Sequence, residues 1–384
     1  MKLTKRLLAS AMCAATALCS AASAFPAVNA AEELADSLAN DSGLDYDFAR
    51  ALQYSIYFYD ANMCGTEVEE NNLYSWRGNC HTYDAQVPLK PMADSKSPGT
   101  NLSQSFIDKY KDILDPDGDG CVDVAGGFHD AGDHVEFGMP ENYAASTVGW
   151  GYYEFRDAYE ETGLQNHIED ELRWINDYFM KATFLDDDGN VVAYCYQVGE
   201  GNNDHNYWCP PELQVDGTFV ASSSCGVKRP AYFATTEMPA SDQCAGAAAS
   251  LAVNYLNFKD TDPEYAQKNL DYAIALYDFA VATHKEEWEP GTTPTATSLG
   301  YDGGFYTSSY DYDELAWAAV WLYYCTENYD YINGDPTITE SENFRAINTN
   351  NNYTYKNNKA NKNSMRYSGR DYSPEFLNSL YANV

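Results

Sequence analysis

Six long segments of the chain repeat apolar side chains with the period of an α-helix. Alanine, leucine and aromatic residues return every three or four positions, which places them on one face of each segment. The predicted helices are Leu44–Tyr59, Tyr143–Glu161, Gln165–Thr183, Asp242–Phe258, Pro263–Thr283 and Asp313–Glu327. Two carry N-terminal signals, since Ser241-Asp242 stands at the start of one and Thr261-Asp262-Pro263 opens the next.

Long polar connections separate these helices. Cys64–Gly127, Asp186–Ala240 and Lys285–Tyr310 are rich in Gly, Pro, Asn and Asp, and the strongest strand signal within them is Val191–Val198. Helical bundles usually have short connections, whereas long loops on a helical scaffold often carry function. The pattern predicts an all-α fold whose loops form the working face.

The two ends of the chain depart from this pattern. Residues 1–30 contain a positively charged start, a short apolar run and small residues before Ala30. These features predict a secretion signal peptide that is cut after Ala30, with a retained membrane anchor as the alternative. At the other end, Arg345–Val384 is rich in Asn, Lys and Tyr and has no apolar period. We expect this tail to be disordered or aberrant in sequence.

The charge of the chain narrows the range of partners. Lys and Arg number 23 against 58 Asp and Glu, which gives a formal net charge of −35 at pH 7. Such a surface repels nucleic acid and anionic lipid, while a neutral polysaccharide carries no such penalty. We therefore expect the chain to bind neither nucleic acid nor membranes. We also expect a monomer.

Cysteine usage leaves several possibilities open. The chain has ten cysteines, of which Cys13 and Cys19 fall in the predicted signal peptide. In an exported protein, disulfides are the default expectation for the others. Their pairing does not follow from the sequence, and buried free thiols or metal ligands are the alternatives.

The segment DAGDH (Asp130–His134) carries the densest candidate chemistry. Asp130 and Asp133 stand three positions apart, between His129 and His134, in a glycine-rich stretch. Such carboxylates can act as a base that activates water and a partner that orients it. Two alternatives are an acidic calcium-binding or capping loop and a zinc-dependent hydrolase that uses these four side chains as ligands. The usual helical spacing of two zinc-binding histidines is missing, which weighs against the zinc hydrolase.

DAGDH and the glycine pair before it resemble the signature of family 9 glycoside hydrolases, which are largely cellulases with an (α/α)6 barrel of six-hairpin type. Further motifs follow in the family's order, and together they cover about Leu44 to Asn328. They are SWRG at Ser75–Gly78, YQVG at Tyr196–Gly199, DHNYW at Asp204–Trp208, RPAY at Arg229–Tyr232 and YDELAW at Tyr312–Trp317. The resemblance implies a secreted, extracellular endo-β-1,4-glucanase that hydrolyses cellulose or related β-glucans and needs no cofactor for catalysis.

The same resemblance assigns the catalytic carboxylates. Asp133 is implied as the general base of an inverting hydrolysis, with Asp130 helping to hold the water. Inversion also needs a carboxylic acid about 6.5–9.5 Å from the base, and in the family a Glu in a later Asn-Glu motif supplies it. The sequence contains no such motif. We therefore expect residues 31–344 to be a partial glycoside hydrolase catalytic domain, truncated or frameshifted near Arg345, with weak or no activity. A non-catalytic secreted glucan-binding remnant is the alternative.

Four residues are candidate contacts for the glucan. The resemblance places His205, Trp208 and Tyr306 along the cleft, where a flat ring can stack on the apolar face of a sugar. Trp208 lies in a loop before two prolines, a context that favours a cleft role over a core role. Arg229 has two possible roles, since it could bind sugar hydroxyls or pair with one of the many carboxylates.

The resemblance also implies a structural zinc site. In part of the family a Cys, a Cys-His pair and the His before DAGD converge on zinc, and here these are Cys64, Cys80, His81 and His129. Two sulfur and two nitrogen ligands suit tetrahedral zinc, which would pin the loop that carries Asp133. The alternative is a Cys64–Cys80 disulfide.

Two further segments are candidate calcium sites. Asp115–Gly120 has the first half of an EF-hand-like loop, but Gly126 stands where the twelfth position needs a bidentate Glu. Ser309, Asp313 and Glu314 match positions that bind calcium in some family members, although the loop before them is shorter than the family pattern.

Overall fold

The structure of the chain is a computed structural model. It describes residues 47–94, 97–204, 208–214, 229–284, 306 and 311–333. The predicted signal peptide, the predicted tail and the candidate residues His205 and Ser309 lie outside the described residues. Within the described ranges, every helix is too short or too polar to cross a membrane.

Helices dominate the described residues, which confirms the predicted all-α class. In chain order they are α1 (Phe48–Asn62), α2 (Val68–Asn71), α3 (Gln104–Leu114), α4 (Gly138–Glu154), α5 (Arg156–Glu161), α6 (Gln165–Lys181), α7 (Gly201–Asp204), α8 (Ser241–Phe258), α9 (Pro263–Thr283), α10 (Tyr312–Thr326) and α11 (Asp330–Asn333). The strands are β1 (Val87–Pro88), β2 (Cys121–Val122), β3 (Glu136–Phe137), β4 (Thr183–Leu185), β5 (Val191–Val198) and β6 (Ala231–Ala234). Short 3-10 turns occupy Thr82–Gln86 and Pro211–Leu213.

The helices differ from the prediction in three places. The segment predicted as Tyr143–Glu161 breaks at Phe155, whose φ of −120° and ψ of 32° are not helical. Helix α3 arises inside a predicted loop, where the Ser103 hydroxyl accepts the Phe106 N–H and caps it. Helix α8 begins at Ser241 without a side-chain cap, because its N-cap residue is Ala240; the Ser241 hydroxyl donates to Asp311.

The chain divides into two compact units. One comprises Met1–Tyr59 and Glu154–Glu171, and the other comprises Asp60–Tyr153 and Leu172–Val384. In the first unit, the Leu164 N–H bonds the Tyr159 carbonyl at 2.8 Å and closes the turn after α5. The DAGDH loop, the candidate zinc ligands and Arg229 all lie in the second unit.

Helices α8, α9 and α10 form what we call the helical layer, in which α8 packs against both of the others. Helix α8 is rich in alanine and buried on all sides. Its buried polar side chains find partners in neighbouring elements, as Asn254 does with Asn269 of α9 at 3.0 Å. Its alanines and Gly246 allow close approach, since a Cβ added to Gly246 would lie 3.0 Å from the Asn142 Cβ.

A four-stranded antiparallel sheet positions the chemistry-bearing segments. Strand β5, which is buried along its whole length, confirms the strand predicted over Val191–Val198. It pairs with β3, β4 and β6, and Val198 is the register partner of both Glu136 in β3 and Ala231 in β6. Because β3 follows DAGDH and β6 follows Arg229, the sheet brings these two segments together.

Candidate functional site

The DAGDH loop is folded by its own backbone and by the start of β3. The Asp130 N–H donates to the Val135 carbonyl at 2.9 Å, and the Asp133 N–H donates to the Asp130 carbonyl at 3.2 Å. Asp133 Oδ1 accepts the Val135 N–H at 2.9 Å, and Ala131 adopts a left-handed φ of 54°. Asp133 is 7% exposed. The loop therefore holds two carboxylates in a fixed relation, with one of them largely removed from solvent.

Tyr306 and Trp208 both lie against this loop. The Tyr306 hydroxyl donates to Asp130 Oδ2. Burial, followed by this hydrogen bond, raises the pKa of Tyr306, so the hydroxyl keeps its proton. Trp208 is 72% exposed, yet a Cβ added to Gly132 would lie 2.5 Å from its Cη2 atom. Only glycine leaves room for the indole here. The structure thus brings two of the predicted glucan contacts to the predicted catalytic carboxylates.

Cys64, Cys80, His81 and His129 converge at a buried cluster, which we call the Cys2His2 cluster. One potential ligand atom from each lies within 4.8 Å of those of the others. His81 Nδ1 is 3.4 Å from Cys64 Sγ and 2.9 Å from His129 Nε2. Bond lengths to tetrahedral zinc imply ligand separations of roughly 3.3–3.8 Å. The Cys64–His81 separation falls in this range, whereas the two imidazole nitrogens lie closer together than bound zinc would hold them. The donor set therefore fits zinc, with a small movement of the two rings apart.

Three chain segments hold this cluster in place. The Cys64 N–H donates to the Gly127 carbonyl at 2.9 Å, and Gly65 exchanges backbone hydrogen bonds with Cys80 at 3.1 and 3.3 Å. The His129 N–H donates to the Asn62 carbonyl at 2.8 Å. Since His129 directly precedes DAGDH, the cluster anchors the loop at its N-terminal end.

The protonation states of three of the four cluster residues suit a metal. Burial lowers the pKa of both His81 and His129, which favours the neutral imidazole that metals require. A hydrogen bond with Cys64 lowers the pKa of the Cys80 thiol, with help from the Arg77 charge. For Cys64, burial dominates and raises the pKa of the thiol.

Cysteines among the described residues are free thiols, in contrast to the default expectation of disulfides. They are Cys64, Cys80, Cys121, Cys195, Cys209, Cys244 and Cys325, while Cys225 lies outside the described residues. The alternative of a Cys64–Cys80 disulfide is therefore not the state that the structure presents.

The prediction that Arg229 contacts the glucan needs correction. Its side chain is fully buried and forms ion pairs of 2.9–3.0 Å with Asp84, Glu136 and Asp204. We call these four residues the Arg229 cluster. Arg229 Nη1 also donates to the His134 carbonyl at 2.6 Å. With no exposed surface, the guanidinium takes the second of its two possible roles and braces the DAGDH loop from within.

The electrostatics of the Arg229 cluster are unbalanced, because one guanidinium faces three buried carboxylates. Burial raises the pKa of Asp84 and Glu136, and the Arg229 charge opposes that rise. The carboxylates in turn raise the pKa of Arg229. The guanidinium therefore stays charged, and losing it would leave buried carboxylates without a counter-charge.

Two site residues were missed by the sequence analysis. Gln214 Oε1 lies 2.7 Å from His81 Nε2 and within hydrogen-bonding distance of His134 Nδ1. Glu141 Oε1 accepts the Phe128 N–H at 2.7 Å and supports the segment before DAGDH. Burial raises the pKa of Glu141 to about 8, with the Phe128 hydrogen bond opposing and the Asp130 charge adding to it. Neither residue belongs to a motif whose spacing signals a function; only the position of Gln214 shortly after Trp208 and its two prolines offered a hint.

The two candidate calcium segments differ in the structure. Carboxylate oxygens of Asp115, Asp117 and Asp119 lie within 4.8 Å of one another, and Asp115 also faces Lys111 at 3.8 Å. At the start of α10, Asp313 Oδ1 is buried without a hydrogen-bond partner among the described residues. Glu314 follows it and is 6% exposed.

The alternative zinc hydrolase is not supported by the geometry. His129 turns its ring to His81, whereas His134 turns its ring to Gln214. Among the described residues, the groups of ligand atoms close enough to share a metal include His129 but neither Asp133 nor His134. The four side chains around DAGDH therefore do not form one ligand set.

Comparison with known proteins places these features in a family. The family model of glycosyl hydrolase family 9 matches residues 46–375. Endoglucanase 4 of Bacillus sp. (strain KSM-522) is 33% identical over 290 residues, which are 75% of this chain and 37% of that protein.

Solved structures agree with the match. The catalytic domain of Clostridium thermocellum CelT is 52% identical with a TM-score of 0.65, over 74% of this chain and 53% of that one. Cel9M of C. cellulolyticum in complex with cellobiose is 33% identical with a TM-score of 0.54, over 76% of this chain and 53% of that one. The chain thus spans about half of these solved structures and less of the curated relative.

Proposed function

The chain belongs to glycosyl hydrolase family 9, and from that premise we propose that it hydrolyses β-1,4-glucosidic bonds of cellulose or related β-glucans. The observation that carries the proposal is the DAGDH loop, which presents Asp130 and Asp133 beside an exposed Trp208 and a protonated Tyr306 hydroxyl. The relative Cel9M, which was solved in complex with cellobiose, supports a glucan as the substrate.

We assign Asp133 as the general base. The Val135 N–H fixes one of its carboxylate oxygens at 2.9 Å, which orients the carboxylate toward a water that attacks the anomeric carbon. Asp130, held by the Tyr306 hydroxyl, is the second acceptor for that water. An inverting reaction follows if a carboxylic acid on the other side of the bond protonates the leaving oxygen.

The test uses a substrate whose cleavage does not depend on that acid. Fluoride leaves β-cellobiosyl fluoride with little need for a proton, so the base alone can support its hydrolysis. We expect the chain to release fluoride, and Asp133→Asn to lower the rate by about 10²–10⁴-fold. The matched control is Asp123→Asn, which changes an exposed carboxylate of the same segment and leaves the rate unchanged.

A second candidate function is glucan binding without hydrolysis, which the exposed Trp208 would serve. Retention on cellulose together with no release of fluoride or of soluble sugar would favour it over the hydrolase. Fluoride release that is abolished in Asp133→Asn would rule it out.

We further propose that the Cys2His2 cluster holds a structural zinc ion. Its support is the buried S2N2 donor set, whose ligand atoms all lie within 4.8 Å of one another. Bound zinc would supply a rigid cross-link between the segments at Cys64, Cys80 and the start of the catalytic loop. Metal analysis of purified protein, together with a count of free thiols, tests this; a bridged Cys64–Cys80 pair without zinc would contradict it.

The finer parts of the proposal are an extracellular location and a calcium ion at Asp313 and Glu314. The signal-like residues 1–30 and a polymeric substrate support secretion, and N-terminal sequencing of exported protein should find a cut after Ala30. An uncut N-terminus would contradict this location.

The Asp313 Oδ1 atom, which has no hydrogen-bond partner among the described residues, supports a calcium ion. Calorimetry should detect calcium binding that Asp313→Ala abolishes. Calcium binding that survives the substitution would contradict a calcium site at Asp313 and Glu314.

A further inference from the structure

Gln214 lies between the Cys2His2 cluster and the Arg229 cluster. Its side chain is buried and its amide has three partners. The oxygen Oε1 faces His81 Nε2 at 2.7 Å and also faces His134 Nδ1. The nitrogen Nε2 faces Asp204 Oδ1 at 2.9 Å.

The environment of Asp204 decides which end of the amide faces which partner. Asp204 Oδ1 accepts from Arg229 Nη1 at 3.0 Å, and Oδ2 accepts the Glu200 N–H at 2.9 Å. A carboxylate surrounded by donors and paired with a guanidinium is itself an acceptor. The amide group that faces Asp204 must therefore be the NH2 group, and the carbonyl oxygen must face the histidines.

This orientation fixes the proton on each imidazole. A carbonyl oxygen only accepts, so His81 donates from Nε2 and His134 donates from Nδ1. His81 Nδ1 then carries a lone pair, and this is the nitrogen that faces Cys64 Sγ at 3.4 Å and His129 Nε2 at 2.9 Å. A neutral imidazole binds a metal through the nitrogen that lacks the proton.

We propose that Gln214 is a positioning residue of the zinc site, which fixes His81 as an Nδ1 ligand by accepting its Nε2–H. The inference rests on the proposed zinc site, although Gln214 itself does not contact the metal. The same oxygen accepts from His134, the residue after Asp133, so one amide joins the metal ligand and the catalytic loop. Arg229 and Asp204 keep that amide from turning over.

Three substitutions separate this role from simple filling of the core. Gln214→Met keeps the length of the side chain but can neither accept nor donate at the two partners. Gln214→Glu keeps the acceptor for His81, loses the donor, and sets a second carboxylate against Asp204. Gln197→Met is the matched control, because Gln197 is equally buried and donates to the Gly199 carbonyl instead.

The measurement is the zinc dissociation constant of the full chain, obtained by competition with a chromogenic chelator, alongside urea unfolding of the zinc-free protein. We expect Gln214→Met to weaken zinc binding by about 10–100-fold, the usual cost of losing the partner of a ligand histidine. Gln214→Glu should stay within about tenfold of wild type although it lowers the stability of the fold more, and Gln197→Met should stay within about threefold. Cobalt loaded in place of zinc should show an altered visible spectrum only in Gln214→Met.

Two results would overturn the inference. One is a folded Gln214→Met protein that binds zinc within about threefold of wild type. The other is a loss of zinc affinity that follows the loss of stability, with Gln214→Glu the weaker binder of the two. If Gln214→Met does not fold, Gln214→Glu still decides, because a variant that keeps the acceptor must keep the metal.

The outcome for the wild-type chain separates this inference from the zinc proposal itself. A wild-type chain that binds no zinc contradicts the zinc site. A wild-type chain that binds zinc, with Gln214→Met equal to it, leaves the zinc site standing and removes only the role of Gln214.

Discussion

The helical layer and the Arg229 cluster are both buried, but different forces hold them. In the helical layer, most of the buried side chains are apolar, and Leu276 of α9 is one that has no exposed surface. In the Arg229 cluster, one guanidinium faces three carboxylates at 2.9–3.0 Å. Apolar burial stabilises wherever volumes match, whereas a buried ion cluster is stable only when every partner is present.

The difference indicates that the two regions have different roles. The helical layer has no predicted site residue in α8 or α9, and its role is to provide a scaffold. The Arg229 cluster contributes little net stability relative to an apolar core of the same volume, but it fixes the His134 carbonyl and, through Asp204, the Gln214 amide. We conclude that the Arg229 cluster maintains the geometry of the DAGDH loop.

The largest expected effect comes from removing the central charge. Arg229→Met leaves Asp84, Glu136 and Asp204 buried without their counter-charge, and should cost about 3–5 kcal/mol of unfolding free energy. Urea unfolding followed by circular dichroism measures it. A cost below about 1 kcal/mol would show that the carboxylates are protonated or hydrated, and the comparison would fail.

A cavity in the helical layer should have a different signature. Leu276→Ala removes a fully buried side chain and should cost about 3 kcal/mol through lost burial and the cavity left behind. Its zinc affinity should equal that of wild type, because the helical layer does not hold the ligands. Leu213→Ala, at a leucine that is 60% exposed, is the control with a negligible cost. Weaker zinc binding in Leu276→Ala would mean that the two regions are not separable.

The stability of the fold should depend on pH through Glu141, which lies beside the DAGDH loop and outside the helical layer. The pKa of Glu141 is raised from 4.5 to about 8, so the folded state holds a proton that the unfolded state has lost. Its contribution to stability is complete below about pH 4.5 and is lost as the pH rises through about 8. Within that window the wild type should lose up to about 1.4 kcal/mol per pH unit relative to Glu141→Gln.

Glu141→Gln keeps the acceptor for the Phe128 N–H but cannot ionise. Thermal unfolding of both proteins from pH 4 to 9 should give curves that coincide at low pH and then separate, with the variant more stable. Parallel curves across the whole range would contradict the assignment of a buried, protonated Glu141.

The smallest effect is expected at an ion pair of the helical scaffold. Arg173 pairs with Asp262 at 3.0 Å, and the two side chains are 34% and 40% exposed. Its guanidinium also lies 4.3 Å from the ring centre of Phe258. Arg173→Met should cost about 1 kcal/mol or less by urea unfolding. A cost equal to that of Arg229→Met would show that burial does not distinguish the two arginines.

How much of each region could be predicted from the sequence depends on whether apolar burial or polar contacts hold that region together. The helices of the layer follow from periodic apolar positions, and the structure confirms α8, α9 and α10 to within a few residues. Helix α3 was missed although Phe106, Ile107 and Leu114 are spaced on one face. It is a short helix inside a long polar segment, where the loop composition outweighed the period.

The polar residues around the DAGDH loop could be predicted only in part. DAGDH and the four Cys2His2 residues were found because motif order pointed to them. The partners of Arg229 were not found, since Arg229 and Asp84 lie 145 positions apart and polar contacts of that kind leave no period in the sequence. Gln214 was missed for the same reason, as its partner His81 lies 133 positions away.

The central claim is that Asp133 activates a water that attacks the anomeric carbon of a β-glucan. The most direct test is proton NMR of the first sugar released from β-cellobiosyl fluoride by the full chain. The account predicts α-cellobiose as the initial product, because a base-activated water attacks the face opposite the leaving group. Initial formation of β-cellobiose, or product formation that is unchanged in Asp133→Asn, would contradict it.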